Sequence, residues 1–139
     1  PHNHVFNHVA VSVPDCDAAV NRYGKVFGFK RIRSGPKCPN APIFKTYDSK
    51  LHKVTVAWLG TGNSVGFGVF EFMNPPHQLK PNFEYNRAGF FHIAATAPDV
   101  DAACKRAVEA GEGKEGETVD MGGGEKSMYL SIRGGMWWY

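Results

Sequence analysis

The feature that most constrains the fold is an internal repeat at a fixed offset of 84 residues. Residues 8–22 read HVAVSVPDCDAAVNR and residues 92–106 read HIAATAPDVDAACKR, and the two segments align without gaps. Eight of the 15 aligned positions are identical. Because self-similarity of this kind indicates two copies of one structural unit, the chain is predicted to fold as two related halves. The identical pairs are His8/His92, Ala10/Ala94, Pro14/Pro98, Asp15/Asp99, Asp17/Asp101, Ala18/Ala102, Ala19/Ala103 and Arg22/Arg106.

Each copy of the repeat has the pattern of a strand followed by a helix. The apolar runs from His8 to Val13 and from His92 to Ala97 predict buried strands, and each ends at a proline. An aspartate then stands where a helix cap is expected, and apolar residues follow at helical spacing. Gly28 and Gly111 stand where the two helices are predicted to end.

Three further strands are predicted in each half. The long stretch 34–52 between the first two of them is predicted to be a loop. The sequence therefore predicts one α+β domain over 1–139, built from two βαβββ repeats (about 1–75 and 88–139) with a linker over 76–87. The predicted strands are Phe29–Arg33, Lys53–Leu59 and Val65–Met73 in the first half, and Glu117–Asp120, Ser127–Ile132 and Met136–Tyr139 in the second.

Composition excludes several classes of protein. The net charge is +3, and the basic residues form no stripe with interleaved aromatic residues, so no nucleic-acid partner is expected. The apolar runs are too short for a membrane span, so no membrane partner is expected. The three cysteines, Cys16, Cys38 and Cys104, have no CxxC spacing, which argues against a disulfide framework and a structural zinc site. A cytoplasmic location is the expectation that follows.

Three segments resemble a known family. They are NHVAVSVPDCDAAVNRYGKVFGF, the second copy beginning GFFHIAATAPDVDAAC, and the middle stretch VTVAWLGTGNSVGFGVFEFMNPP. Together they resemble the glyoxalase, bleomycin-resistance and extradiol-dioxygenase group, the vicinal oxygen chelate superfamily. The resemblance implies sheets curved around a central cavity, a small molecule as partner and a possible homodimer. It does not imply one reaction, because this fold carries several chemistries.

The resemblance also implies a set of metal ligands, and only half of that set is present. Family members usually hold one divalent ion with a histidine at the start of the first strand of each half and a glutamate on the last strand of each half. His8 and His92 match the histidine positions, whereas the glutamate positions fall on Gly68 and Tyr139. Two histidines alone make a poor site for such an ion.

Two alternatives for the metal therefore stay open. Either the protein has no cofactor, or it binds one divalent ion, with Zn, Fe, Mn, Ni and Mg undecided. Glu71 could complete a site with His8 and His92, but a regular strand would point it away from the face that Gly68 shares. A bulge at Gly66 or Gly68 would be needed to turn it inward.

Three functions remain for such a chain. The first is an acid/base isomerase, lyase or cyclase acting on a carbonyl or enolisable compound, with His8 and His92 moving protons and Tyr139 stabilising an oxyanion. The second is a metal-dependent, glyoxalase- or dioxygenase-like enzyme using His8, His92 and Glu71. The third is a non-catalytic protein that binds or sequesters aromatic ligands. The predicted pocket residues are Trp58, Phe67, Phe70, Tyr129, Trp137 and Trp138, and the loop histidines His52 and His77 are predicted to be solvated.

Overall fold

The chain forms two compact units, and each has its own helix and sheet. The computed structural model describes residues 3–37, 45–46, 51–79, 84–132 and 136–138, and describes only the backbone of residues 34–37 and 136–138. The units are Pro1–Gln78 and Leu79–Tyr139, so the division falls inside the predicted linker 76–87. With helices and two separate sheets, the predicted α+β class is confirmed.

The first unit has the order strand, helix, three strands. Its sheet has the order β1-β4-β3-β2, in which β1 runs parallel to β4 and the other neighbours are antiparallel. A parallel neighbour requires a crossover connection, and α1 with β2 and β3 supplies it. The elements are β1 (His8–Ser12), α1 (Cys16–Phe27), β2 (Lys30–Lys37), β3 (Lys53–Gly60) and β4 (Gly66–Asn74).

Helix α1 begins and ends where its sequence predicts. Asp15 is the N-cap, with extended backbone angles, and its carboxylate accepts a hydrogen bond from the backbone N–H of Ala18 at 2.9 Å. Gly28 ends the helix in the left-handed conformation at φ 70°, which glycine adopts without a steric penalty. The apolar face packs on the sheet and buries Cys16, Ala19, Val20, Tyr23 and Val26.

The sheet of the first unit buries one face beneath α1. Ala57, Leu59 and Val69 have no exposed surface, and Phe67 retains 2%. The ring of Phe67 lies 4.9 Å from the ring of Tyr23 on α1. Successive strand residues point to opposite faces, so the neighbours of these residues in sequence lie on the other side of the sheet.

The second unit consists of a helix and a three-stranded antiparallel sheet. Asp99 caps α2 as Asp15 caps α1, accepting from the backbone N–H of Ala102 at 2.9 Å. Along β6, Met128, Leu130 and Ile132 are buried, while the intervening residues are half-buried. The elements are α2 (Val100–Glu109), β5 (Gly113–Gly122), β6 (Glu125–Ile132) and β7 (Met136–Trp138), in the sheet order β5-β6-β7.

The second copy of the repeat does not form its predicted first strand. Residues 92–97 form no strand, apart from a single bridge at Ile93, so the described part of the second unit has the order αβββ. The predicted pair of equal βαβββ repeats is therefore not shown by the described residues. The segment has Ala95 and Ala97 where the first copy has Val11 and Val13, and alanine has the weaker preference for strands.

Other predicted boundaries shift by a few residues. Strand β2 continues to Lys37, so the predicted loop 34–52 begins later, and most of that loop lies outside the described residues. The turn 122–124 is confirmed, with positive φ at all three glycines. Among the described residues, neither helix has the length and apolarity that crossing a membrane requires.

Candidate functional site

The face of the first sheet opposite α1 carries His8 and a group of aromatic side chains. Strand register places Ser12 of β1 and Val56 of β3 on either side of Phe70 of β4. The side chains of these three residues therefore lie on the same face of the sheet. Trp58, Phe70 and Phe72 are partly buried and pack against Val54 and Val56. The surface formed by His8, Ser12, Trp58, Gly68, Phe70 and Phe72 is called the His8 face below.

His8 is held by a hydrogen bond and by an aromatic neighbour. Its Nδ1 atom lies 2.7 Å from the Oδ1 atom of Asn7. Its ring meets the ring of Trp58 edge-on, with 4.7 Å between centroids and 85° between planes. An amide oxygen can only accept, so this contact places the proton on Nδ1 and leaves Nε2 as an acceptor. His8 is exposed, and its acceptor nitrogen suits it to take a proton from a ligand.

The space above Gly68 is already filled by aromatic rings. A Cβ atom at Gly68 would lie 2.9 Å from the Trp58 ring and 2.9 Å from the Phe70 ring. Those two rings meet edge-on, with 5.8 Å between centroids. Gly68 is the position where the family resemblance places a carboxylate ligand. A carboxylate side chain there would require the rings to move, so the glycine and the rings fit each other.

Glu71 lies on the opposite side of the sheet from His8. Strand β4 keeps a regular register from Gly66 to Phe72, without the bulge that would turn Glu71 inward. Its carboxylate accepts a hydrogen bond from the backbone N–H of Cys16 at 2.9 Å, at the start of α1. This position suits an anion, because the first N–H groups of a helix lack partners within it. Glu71 and His8 are therefore not brought together, which corrects the suggestion that both ligate one metal.

Cys16, whose backbone N–H donates to Glu71, has a thiol with a raised pKa. Burial raises the pKa of the Cys16 thiol, and the charges of Asp17 and Glu71 raise it further, while Arg31 acts in the opposite direction. The side chain is 3% exposed. A buried thiol with a raised pKa has little thiolate and is a poor nucleophile. Cys16 therefore belongs to the core beneath α1.

Phe67 is also on the α1 side of the sheet. Its ring contacts Tyr23 and lies 5.4 Å from the ring of Phe29. This corrects the prediction that Phe67 lines the pocket with Trp58 and Phe70. The reason is the strand period of two, which sends an odd-numbered residue of β4 to the helix face.

A polar pair at the end of β1 was missed by sequence reasoning. The Oγ atom of Ser12 lies 2.9 Å from Nδ1 of His77, a residue predicted to be solvated in a loop. His77 is half-buried, and its backbone N–H donates to the carbonyl of Phe72 at 2.9 Å. The sequence feature that could have predicted this contact is the turn at Asn74, Pro75 and Pro76, which brings the chain back along β4.

The second unit places His92 among aromatic rings of its own. The His92 ring lies 4.5 Å from Phe91 and 5.6 Å from Tyr129, with tilted or edge-on planes. Tyr129, a predicted pocket residue, is half-buried on the face of β6 that points away from Met128 and Leu130. The pairing of His8 with His92 would join residues of different units, so it stays a prediction.

Three further predicted residues cannot be placed by their side chains. Tyr139 lies outside the described residues. Trp137 and Trp138 belong to β7, where register sets them beside Ser131 and Leu130, but only their backbone is described. Their roles in a pocket or as an oxyanion donor therefore stay predictions.

The donor set does not fit the metal site that the resemblance implies. Within residues 3–37, 45–46, 51–79, 84–132 and 136–138, no three His, Cys, Asp or Glu side chains are grouped so that they could hold a metal ion. A protein site for a divalent ion needs three or more such ligands. Of the two ligand positions that the resemblance implies in the first unit, Gly68 has no side chain and His8 remains, while Glu71 is bound to the start of α1.

Comparison with known proteins agrees with this geometry at the level of the fold. A glyoxalase family protein from Bacillus cereus superimposes with a TM-score of 0.82 at 18% identity, covering 98% of this chain and 93% of that chain. A glyoxalase family protein from Enterococcus faecalis gives a TM-score of 0.65 at 20% identity, covering 95% and 92%. The fosfomycin resistance protein FosX from Listeria monocytogenes, solved with Mn(II) and a sulfate ion, gives 0.67 at 15% identity, covering 99% and 90%.

The family is shown by the sequence itself. No match is found among curated proteins. The model of the Glyoxalase/Bleomycin resistance protein/Dioxygenase superfamily, however, matches residues 5–138. Because this match spans nearly the whole chain, and the structures above share the fold, the protein belongs to the glyoxalase/bleomycin resistance/dioxygenase superfamily.

Proposed function

We propose that this protein is an enzyme that moves protons on a small carbonyl or enolisable substrate, as an isomerase, lyase or cyclase, without the metal chelate usual in its family. The observation that supports this most directly is the filled space above Gly68, where Trp58 and Phe70 occupy the place of a ligand side chain. The His8 ring is exposed on the His8 face, and its Nε2 is an acceptor.

His8 is the base in this proposal. A proton on a carbon next to a carbonyl is acidic enough for a neutral imidazole to remove when the developing oxyanion is stabilised. Asn7 holds the other ring nitrogen, so the tautomer and the ring orientation are set before the substrate arrives. The edge contact with Trp58 fixes the second side of the ring.

His92 is proposed as the second proton-transfer group. It is the counterpart of His8 in the repeat, and the Tyr129 ring contacts it at 5.6 Å. In this proposal His8 keeps the proton that it removes, and His92 donates a proton of its own to a different atom of the substrate, which completes an isomerisation, or to a leaving group, which completes an elimination. Exchange with solvent then restores the protonation of both rings. Tyr139 remains the predicted donor to the oxyanion.

Proton exchange tests this proposal without knowledge of the natural substrate. The wild-type protein is incubated in D₂O with small aldehydes, α-keto acids and 1,3-diketones, and loss of the acidic C–H signal is followed by NMR. We expect His8→Ala and His92→Ala each to slow the accelerated exchange by about 10²–10⁴-fold, the usual contribution of a general acid or base. The control is His52→Ala, which removes an exposed histidine beside β3. Exchange at the wild-type rate in both histidine variants would disprove the proposal.

A non-catalytic role is the second candidate, and the aromatic content of the His8 face favours it. Trp58 meets Phe70 edge-on, and the rings of Phe70 and Phe72 stack with 6.0 Å between centroids. Such a surface suits a planar apolar ligand. Binding of planar ligands that are recovered chemically unchanged, with no acceleration of exchange for any carbonyl compound, would favour this candidate over the enzyme.

The metal-dependent alternative draws its support from FosX, which has been solved with Mn(II). For this chain it would require Glu71 to leave the start of α1 and to reach the opposite face of the sheet. We therefore rank it below the metal-independent enzyme.

Two expectations about the protein's setting accompany the proposal. A cytoplasmic location agrees with cysteines that are free at Cys16 and Cys104. A homodimer is compatible with the family fold, and light scattering coupled to size-exclusion chromatography measures it directly.

A further inference from the structure

The His8 face ends in a polar pair for which the proton-transfer chemistry has no use. Ser12 is the last residue of β1, and its hydroxyl is exposed on the same face as His8. His77 reaches this hydroxyl from the segment that follows β4. The backbone N–H of His77 donates to the carbonyl of Phe72, which holds this segment against β4.

The surroundings of the His77 ring decide which atom carries the proton. The Nε2 atom is buried and has no hydrogen-bond partner among the described residues. A buried N–H without an acceptor is rarer in proteins than a buried acceptor without a donor. The favoured tautomer therefore has its hydrogen on Nδ1, which donates to Oγ of Ser12 at 2.9 Å.

This tautomer determines whether the Ser12 hydroxyl can donate a hydrogen bond to a ligand. When Oγ of Ser12 accepts from His77, its own O–H hydrogen remains available as a donor. Because the side chain is exposed on the His8 face, that hydrogen can reach a ligand lying across Phe70. The complementary ligand group is an oxygen with lone pairs, as in a carboxylate, a carbonyl or a phosphonate.

The spacing along β1 sets where this oxygen lies in the ligand. His8 and Ser12 are four residues apart on one strand, which places their Cα atoms roughly 13 Å from each other. Trp58 lies level with Ala10, between these two positions, and Phe70 lies beside Ser12 with its ring close to Gly68. One reacting carbonyl group is too small to touch both residues, so they contact opposite ends of an elongated molecule.

We propose that Ser12, positioned by His77, donates a hydrogen bond to an oxygen at the end of the substrate remote from the carbon that His8 deprotonates. This deepens the proposed function and rests on it for the role of His8. The substrate class is then an elongated compound with an enolisable carbonyl at one end, an apolar or aromatic body over Trp58 and Phe70, and an acceptor oxygen at the other end.

Two probes of equal shape and opposite polarity test the assignment. They are 4-biphenylcarboxylate, whose end group only accepts hydrogen bonds, and 4-biphenylmethylammonium, whose end group only donates them. Binding is followed by amide chemical shifts in NMR titrations of the full chain. We expect the carboxylate to bind more tightly and to shift the amides of residues 8–12 and 66–72. Ser12→Ala should weaken its binding about tenfold or more, which corresponds to one charge-assisted hydrogen bond.

Matched variants separate positioning from folding. His77→Phe keeps the ring and removes both nitrogens, and we expect it to weaken carboxylate binding as Ser12→Ala does. His77→Asn keeps a donor near the position of Nδ1 and should restore much of the affinity. Thr55→Val removes a hydroxyl from the opposite face of the same sheet, where it contacts Met73, and should change nothing.

Each outcome of this titration bears on the assignment separately from the proton-exchange test. Loss of carboxylate affinity in Ser12→Ala and His77→Phe, with ammonium affinity unchanged, supports it even if His8 proves not to be a base. Equal binding of the two probes, wild-type affinity in Ser12→Ala, or no detectable carboxylate binding at millimolar concentration overturns it.

Discussion

Gly68 shows how a single residue without a side chain determines what the His8 face can bind. The rings of Trp58 and Phe70 each lie 2.9 Å from where its Cβ atom would be, so the aromatic surface is continuous across β3 and β4. A family member with a carboxylate at this position needs open space above the strand. In this chain the same space contributes to aromatic packing.

The close packing around Gly68 makes its replacement costly. We expect Gly68→Ala to lower the free energy of unfolding by about 1–3 kcal/mol, the usual cost of an added methyl group in a well-packed site. Urea denaturation followed by circular dichroism measures it. Gly62→Ala is the control, because a Cβ atom at Gly62 has no neighbour within 4 Å. The penalty should shrink in a Trp58→Leu background, and an unchanged penalty there would argue against ring overlap as the cause.

Cys16 gives a pH dependence whose direction follows from its raised pKa. Above the ordinary value of 9.0, the unfolded chain releases the thiol proton while the folded chain, held mainly by burial, keeps it. The free energy of unfolding should therefore fall as the pH rises through 9.0 towards the higher pKa of the folded state. Denaturation midpoints measured across this range should fall less steeply in Cys16→Ala, and equal slopes would contradict the assignment.

The residue-level features differ in how well the sequence predicts them. The absence of a carboxylate at position 68 is visible in the sequence, because the motif around it is recognisable. The contact of Trp58 and Phe70 above that position is not, because a pattern of alternation gives the face of a side chain and not its rotamer. His77 was missed for a related reason, since its partner Ser12 is 65 residues away in the chain.

At the level of elements, two carboxylates hold the start of α1. Asp15 accepts from Ala18, and Glu71 reaches across from β4 to accept from Cys16. The first contact is local and is repeated in α2, where Asp99 accepts from Ala102. The second is specific to the first unit and joins the helix to the centre of its sheet.

The contact of Glu71 with α1 should contribute to stability. We expect Glu71→Ala to lower the free energy of unfolding by about 1.5–3 kcal/mol, because it leaves the Cys16 N–H without its charged acceptor. Glu71→Gln keeps an acceptor and should lose only about 0.3–1 kcal/mol, the part that depends on charge at a helix start. Thermal unfolding compares both with Glu117→Ala, which removes an exposed carboxylate. Wild-type stability in Glu71→Ala would count against this role.

The sequence predicted those elements well whose own residues show a helix cap or a regular apolar pattern. Both helices begin after the predicted aspartates, and β3, β4 and β6 cover the predicted runs within a few residues. The strand predicted over 92–97 is absent because only His92 and Ala94 are identical to their counterparts in 8–13, and alanines replace Val11 and Val13, which favour a strand. Strand β2 was predicted too short because proline is unusual inside a strand, although Pro36 lies in the ladder with β3.

For the molecule as a whole, the donor set predicts weak metal binding. After incubation with Zn, Fe, Mn, Ni and Mg salts and desalting, elemental analysis of the untagged protein should find well below one ion per chain. The physical reason is that the described residues provide no group of three ligands. One ion per chain that is lost in His8→Ala would contradict this and favour the metal-dependent alternative.

The division of the chain was suggested by the repeat, and the fold class followed from it. The chain divides between Gln78 and Leu79, inside the predicted linker 76–87. The repeat does not predict how His8 of one unit and His92 of the other would act on one substrate. An offset of 84 residues relates the two copies in sequence and gives no distance between them in space.

The parallel pairing of β1 with β4 has a consequence for how the first unit folds. His8 pairs with Gly66, 58 positions later in the chain, whereas β2, β3 and β4 follow one another as antiparallel neighbours. Closing the longer loop costs more entropy and slows folding. The three-stranded meander can therefore assemble first, and β1 docks on its edge afterwards. During synthesis on the ribosome, the surface that His8 and Ser12 share can form only after β4 has emerged as far as residue 74.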